Sequence, residues 1–252
     1  GYFPSFGASW RISKEKFLHM ASLVRAELGD EIPLVANIPD FDYDYALELK
    51  KIGIKGGDKI ALYARNGARW GMVFMSVVTN RSVIVPLLSD FTPANATFLT
   101  HHSESVALFT NADKWAQMDI AKMPLVRLAV DVDSWKLLYA ADDEVREAYD
   151  EMDVLFAAKW PGGYGPGDVV FPTDNWDEMA AINYTSGSPG DPKGVMLIHR
   201  NFSAIVDFSQ RNVPAGDKMV SMLPMAHMYG LVIEFIYPLC NGTSIYWLGK
   251  AP

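Results

Sequence analysis

Cysteine is almost absent from the chain. Cys240 is the single thiol in 252 residues, so no internal disulfide can form. Its setting in the apolar stretch GLVIEFIYPLC reads as a buried structural thiol rather than a nucleophile. Long apolar runs are missing as well: nothing approaches the roughly 18 to 20 residues that a membrane-spanning helix needs. No basic-then-apolar secretory pattern opens the chain, so the sequons at Asn80, Asn95, Asn201 and Asn241 read as chance matches and the expected location is cytoplasmic. Peripheral membrane contact stays open. Positive charge is outnumbered, with 22 Lys and Arg against 30 Asp and Glu and a net charge of −8. A nucleic-acid binder would carry a basic face instead. Several catalytic signatures are lacking too. There is no GxSxG elbow, no HExxH, and no GK[ST] ending to a phosphate loop. His101 and His102 are adjacent and cannot act as i, i+4 metal ligands, and Asp131-x-Asp133 lacks the other oxygens of a calcium loop. No metal-ligating residue is assigned.

What is present describes a folded α/β protein. Half the residues are hydrophobic and 21% are charged, which disfavours disorder, and the length suffices for a substantial core. Strand-like and helix-like segments alternate. Ser13 can cap a helix with apolar positions at Phe17, Met20, Ala21, Val24 and Leu28, closed by Gly29. KIALYA reads as a strand, 68–79 as a helix, VIVPLL as a strand, and Thr92-Pro93 as the cap of a helix reaching about His102. VALFT and LVRLAV are further strands, apolar on both faces as in a sheet buried between helices. The acidic segment DDEVREAYDEMD predicts a solvated helix in which Arg146 is spaced to pair with Asp142 and Asp150. WPGGYGPG after it reads as a linker or surface loop, and a subdomain boundary is expected there. The class is α/β, with a largely parallel, helix-covered sheet.

The segment with most chemistry is YTSGSPGDPKGV, from Tyr184 to Val195. It lies between the strand-like runs MAAIN and VMLI, and a helical pattern resumes only near Asn201. Gly187, Gly190 and Gly194 allow tight turns and close approach of backbone to a ligand. Thr185, Ser186 and Ser188 supply hydroxyls, and Lys193 supplies a flexible point charge. Backbone N–H groups, hydroxyls and an ammonium converging on one loop suit a polyphosphate, whose charge is spread over many oxygens. No stretch elsewhere makes a comparable case for a nucleotide triphosphate.

This segment resembles the [YF]TSG[ST]TGxPKGV phosphate loop of adenylate-forming enzymes, the acyl-CoA synthetase and ligase superfamily, and His199-Arg200-Asn201 matches its usual continuation. The one departure is Pro189, where the family has threonine; proline removes a hydroxyl and a backbone N–H. DKMVSMLPMAHMY, from Asp217 to Tyr229, resembles the DxxLSxLPLAHxx strand and loop of long-chain fatty acyl-CoA synthetases. The upstream GDKIAL, Asn66, Trp70 and VIVPLL resemble the family's GDxVAL, NxxEW and GAVxVPL landmarks.

The resemblance implies the helix-covered, largely parallel sheets of the large N-terminal domain of such an enzyme. It implies a first α/β subdomain over 1–170 and the start of a second over 171–252, with the C-terminal half and the small C-terminal domain absent. It implies a ligase that activates a fatty acid, of long chain, with ATP and Mg2+ to an acyl-adenylate and passes it to coenzyme A. Thr185, Ser186, Gly187, Ser188, Gly190 and Lys193 would hold the β- and γ-phosphates. His227 would line the substrate site, and no side chain acts as a covalent catalyst. A ligase for an aryl or shorter acid, or a non-catalytic nucleotide-binding protein with a degenerate loop, remain alternatives. The chain by itself is expected not to support carboxylate-dependent ATP–pyrophosphate exchange. Restoring threonine at Pro189 in the complete reading frame separates a degenerate loop from a tolerated substitution: ATP affinity measured by titration calorimetry rises strongly in the first case and stays level in the second.

Overall fold

The computed structural model describes residues 52, 54–79, 81–162, 175–185, 193–214, 216 and 218–247. The helix expected between Ser13 and Gly29 lies outside them. So do most of the loop after Trp160 and the segment 186–192. Strand β1 (Lys59–Tyr63) leads into helix α1 (Ala68–Thr79), strand β2 (Val83–Pro86) and helix α2 (Pro93–His102). Thr92 caps α2 as expected, its hydroxyl accepting from Asn95 N at 3.2 Å, which satisfies one of the orphan N–H groups of the first turn. Strand β3 (Ser105–Thr110) and the short helix α3 (Ala112–Trp115) are followed by a 3-10 turn (Ile120–Lys122), strand β4 (Leu128–Asp131) and strand β5 (Leu137–Ala140). Helices α4 (Asp143–Asp150) and α5 (Met152–Lys159) come next. Beyond them lie strands β6 (Met179–Thr185) and β7 (Lys193–Ile198), helix α6 (His199–Asn212) and strand β8 (Lys218–Ser221). A last helical stretch runs from α7 (Met228–Leu231) through a π-helical segment (Val232–Ile236) to α8 (Tyr237–Asn241), before strand β9 (Ser244–Trp247). No described helix is long and apolar enough to cross a membrane.

Among the described residues, seven strands form one sheet in the order β5-β4-β3-β1-β2-β6-β7. The inner pairings from β4 to β6 are parallel. The two edge strands, β5 and β7, are antiparallel to their neighbours. Period-2 alternation sends side chains of one strand to opposite faces. Ile60 and Leu62 join a core with α1, α4, α6 and the π-helical segment. Ala61 and Tyr63 join a second core with Ala96 and Leu99 of α2. Strands from both sides of the boundary expected near residue 170 share this sheet, and a separate two-stranded parallel sheet is formed by β8 and β9.

The first core is centred on aromatic rings. Trp70 stacks on Phe74 at 5.7 Å, and Phe235 meets both rings edge-on at 6.4 and 6.0 Å. Phe202 of α6 meets Phe74 at 6.2 Å. Gly71 makes this approach feasible, because a Cβ there would lie 2.6 Å from the Phe235 ring.

Three sequence expectations differ from the structure in instructive ways. The acidic segment is helical, but Asp142 sits just outside α4 as its N-cap, accepting from Val145 N at 2.8 Å, and Arg127 rather than Arg146 pairs with it at 3.2 Å. A cap residue has left the helical face, so i, i+4 spacing no longer applies to it. The strand read from LVRLAV is shorter and displaced toward its C-terminal end, over Leu128–Asp131. Cys240 is half-buried in α8 rather than sequestered.

Phe235→Ala should cost about 3–5 kcal/mol in urea unfolding, as expected for loss of a buried ring. Gly71→Ala should cost about 1–2 kcal/mol, overpacking exceeding the gain in helix propensity. In the Phe235→Ala background the same substitution should become neutral or stabilising, a coupling that a double-mutant cycle reads directly.

Candidate functional site

The glycine-rich segment is the connection of a β-hairpin. β6 and β7 pair from Met179↔Ile198 to Thr185↔Lys193. The last register pair thus sets the first hydroxyl of the loop opposite its ammonium, both exposed. Residues 186–192, with Ser186, Gly187, Ser188, Pro189 and Gly190, lie outside the described residues. Gly194 is directly opposite Tyr184 within the ladder. A Cβ there would lie 2.8 Å from Ile182 Cγ2 and 3.4 Å from Tyr184 Cε1. The glycine therefore makes room for cross-strand side chains, a packing role rather than the turn or ligand contact expected of it.

Tyr184 is fixed on the second core. It is 7% exposed, its hydroxyl lies 2.7 Å from His102 Nδ1, and the two rings meet edge-on at 5.7 Å. Burial pushes its phenol up to about 12. Beyond β7, His199-Arg200-Asn201 begins α6. The Arg200 guanidinium grips Asp177 through two bonds, of 2.9 and 3.0 Å, and holds its carboxyl below the usual range. Asn201 Oδ1 accepts from Ile198 N at 2.9 Å, and burial pushes the His199 imidazole down. These three residues secure the turn from strand to helix.

His227 stands on a second loop, between β8 and α7, and is exposed. Its Nδ1 accepts from Tyr229 N at 3.3 Å, so in the neutral ring the proton is on Nε2. Side chains from three elements hold this loop. Asn66, after β1, donates to Leu223 O at 2.8 Å and accepts from Met225 N at 3.0 Å. Asn183 of β6 donates to Ala226 O at 2.9 Å. Glu234 accepts from Met222 N and Leu223 N, each at 2.8 Å. Gly230 completes the fit, since a Cβ there would lie 2.4 Å from Pro224 O. The strand carrying Thr185 and the loop carrying His227 are therefore in direct contact.

An AMP-binding enzyme family model matches residues 44–252. The chain belongs to that family. Among curated relatives, an Arabidopsis thaliana long-chain-fatty-acid–[acyl-carrier-protein] ligase is 28% identical over 94% of the chain and 34% of its own length. Long-chain-fatty-acid–CoA ligase 3 of Saccharomyces cerevisiae is 27% identical over 82% of the chain and 32% of its length. A sulfoacetate–CoA ligase of Cupriavidus necator is 26% identical over 77% of the chain and 35% of its length. The chain thus spans about a third of the length of these relatives. Among solved structures, apo MatB from Rhodopseudomonas palustris matches with a TM-score of 0.63 and 19% identity, over 86% of this chain and 39% of that one. The N-terminal domain of FACL13 from Mycobacterium tuberculosis matches at 0.60 and 22%, over 86% and 49%. The fold is that of the N-terminal domain of adenylate-forming enzymes.

In this member of the AMP-binding family, Thr185, Lys193 and His227 lie on two segments that Asn183 joins. Asn183 and Glu234 carry no motif, and reading for motifs passes them by. The signal for both is compositional: a lone amide inside the apolar strand MAAINYT, and a lone acid inside GLVIEFIYPLC. Buried polar groups of this kind are kept when they have hydrogen-bond partners. Among the described residues, no group of three or more His, Cys, Asp and Glu side chains is gathered as a metal site.

Asn66→Ala should lower stability by about 1–3 kcal/mol, because it strands the N–H of the buried Met225, and urea titration reads the loss. The pH profile offers a second check. In the folded protein Tyr184 keeps its proton up to about 12, whereas an ordinary tyrosine loses it near 10.0. Over that window the folded state binds more protons than the unfolded state, so stability falls as pH rises from 10 to 12. Tyr184→Phe should flatten that decline in denaturation measured across the window.

Proposed function

We propose that this AMP-binding enzyme is an acyl-activating ligase whose carboxylate substrate is a long-chain fatty acid and whose acceptor is the thiol of coenzyme A. The observation that carries the reading is the placement of Thr185 and Lys193 opposite one another at the loop end of the β6–β7 hairpin, joined through Asn183 to the loop that bears His227. Identity of the acid rests on the LPMAH segment and on relatives described as long-chain fatty-acid ligases.

In the first half-reaction a carboxylate oxygen attacks the α-phosphorus of ATP. The bond to the bridging oxygen of the β-phosphate breaks, and pyrophosphate leaves with the electron pair. Thr185, Ser186, Gly187, Ser188, Gly190 and Lys193 would hold the β- and γ-phosphates and offset the charge that grows on the leaving group. Mg2+ would arrive with ATP as counter-ion to the same oxygens. The loop of His227 would border the acyl and nucleotide pocket. In the second half-reaction the thiol sulfur attacks the acyl carbon, losing its proton, and AMP departs.

The test is carboxylate-dependent ATP–pyrophosphate exchange by the protein expressed from its complete reading frame. Long-chain fatty acids should support exchange better than aryl or short acids. Lys193→Ala should reduce exchange by about 100-fold or more, the usual size of losing one preorganised charge-stabilising group. Exchange driven instead by an aryl or short acid would move the substrate class. ATP binding with no acid supporting exchange would point to a non-catalytic nucleotide-binding protein.

A further inference from the structure

The six residues from Met222 to His227 are held at both ends. At the first end, Glu234 is 8% exposed and accepts from the two consecutive backbone N–H groups of Met222 and Leu223. At the other, Asn183, 6% exposed, donates to Ala226 O, one residue before His227. All three bonds end on backbone atoms, so they act on where the loop lies rather than on what its side chains are. A carboxylate buried in an apolar helical stretch is costly unless it is hydrogen-bonded, and the loop supplies two donors. Glu234 sits in the π-helical segment, an uncommon geometry that often accompanies functional sites. Asn183 sits two residues before Thr185, on a strand paired on both sides.

We propose that Asn183 and Glu234 are positioning residues that hold the Met222–His227 loop, and His227 with it, at a set place beside the phosphate hairpin. Their effect on chemistry rests on the ligase reading above, whereas the restraint on the loop does not. Activation requires the acid to meet the α-phosphorus while the β- and γ-phosphates are held, and a misplacement of about 1 Å can cost roughly 100-fold in rate. One buried hydrogen bond from β6 to Ala226 joins the two subsites, and Glu234 keeps the far end of the loop from yielding.

The test compares Asn183→Ala, Glu234→Ala and Glu234→Gln in the protein expressed from its complete reading frame. Val145→Ala, a buried substitution in α4 that packs into the same core away from the loop, serves as the control for lost stability. Two readouts are used: amide hydrogen exchange at Met222 and Leu223, and the kcat and ATP KM of carboxylate-dependent pyrophosphate exchange. Glu234→Ala should speed amide exchange at both positions by about tenfold or more. Both alanine variants should lower kcat by about 10- to 100-fold with little change in the KM for ATP. Glu234→Gln, whose amide oxygen still accepts, should retain amide protection and most of the turnover. Val145→Ala should lose stability without losing turnover. The proposal is overturned if the alanine variants turn over like Val145→Ala, or if Glu234→Gln is as impaired as Glu234→Ala. If the unmodified protein shows no carboxylate-dependent exchange, the ligase reading fails and amide protection decides: its loss in Glu234→Ala sustains the restraint, and its persistence overturns it.

Discussion

Asn183 projects an amide from a strand whose neighbours in sequence and space are apolar, and a buried amide must find its partners within the protein. The acceptor it finds is Ala226 O, at 2.9 Å. That bond ties β6 to the loop before α7, and β6 is in turn bonded to β2 on one side and to β7 on the other. Parts of the chain from Ile84 to Ala226 thereby share one frame. Asn66 reinforces it from the end of β1 with bonds to both sides of Pro224. The proposed function depends on this frame, because a loop holding phosphates and a loop bordering the acid would work together only at a constant separation.

Beneath the frame lies the aromatic core of α1, α6 and the π-helical segment. Gly71 admits Phe235 against α1, and Phe235 packs on Trp70 and Phe74. Glu234 is the next residue back, and its carboxylate points instead to the backbone of the β8–α7 loop. Adjacent residues of one helical segment thus serve the core and the site. Packing that places the ring also places the carboxylate, which links stability of the core to geometry of the loop.

Much of the fold was legible in the residues. KIALY, the helix from Ala68 to Thr79, the Thr92-Pro93 cap and the strands flanking the glycine-rich segment all appear where local pattern puts them, because each depends on short-range periodicity or on a cap. Asp142 was misread since its two options, cap and helical face, differ by one residue at an element boundary. Antiparallel edges were also hidden. β5 and β7 look like their parallel neighbours in sequence, and only the partner across the ladder gives them direction.

For the site, residue order alone singled out the segment from Tyr184 to Val195 and the LPMAH loop as candidates, and pointed to the AMP-binding family to which the chain belongs. Those are contiguous strings whose chemistry is carried by neighbouring residues. Tertiary structure decided the rest. It turned Gly194 from a ligand-contacting glycine into a packing one, made Tyr184 a buried anchor on His102, and brought Asn66, Asn183 and Glu234 to a loop none of them adjoins in sequence. Hydrogen bonds across 157, 43 and 12 positions leave no local periodicity. They exist only because burial of the strands and aromatic rings forces each isolated polar group onto the backbone that comes within its reach.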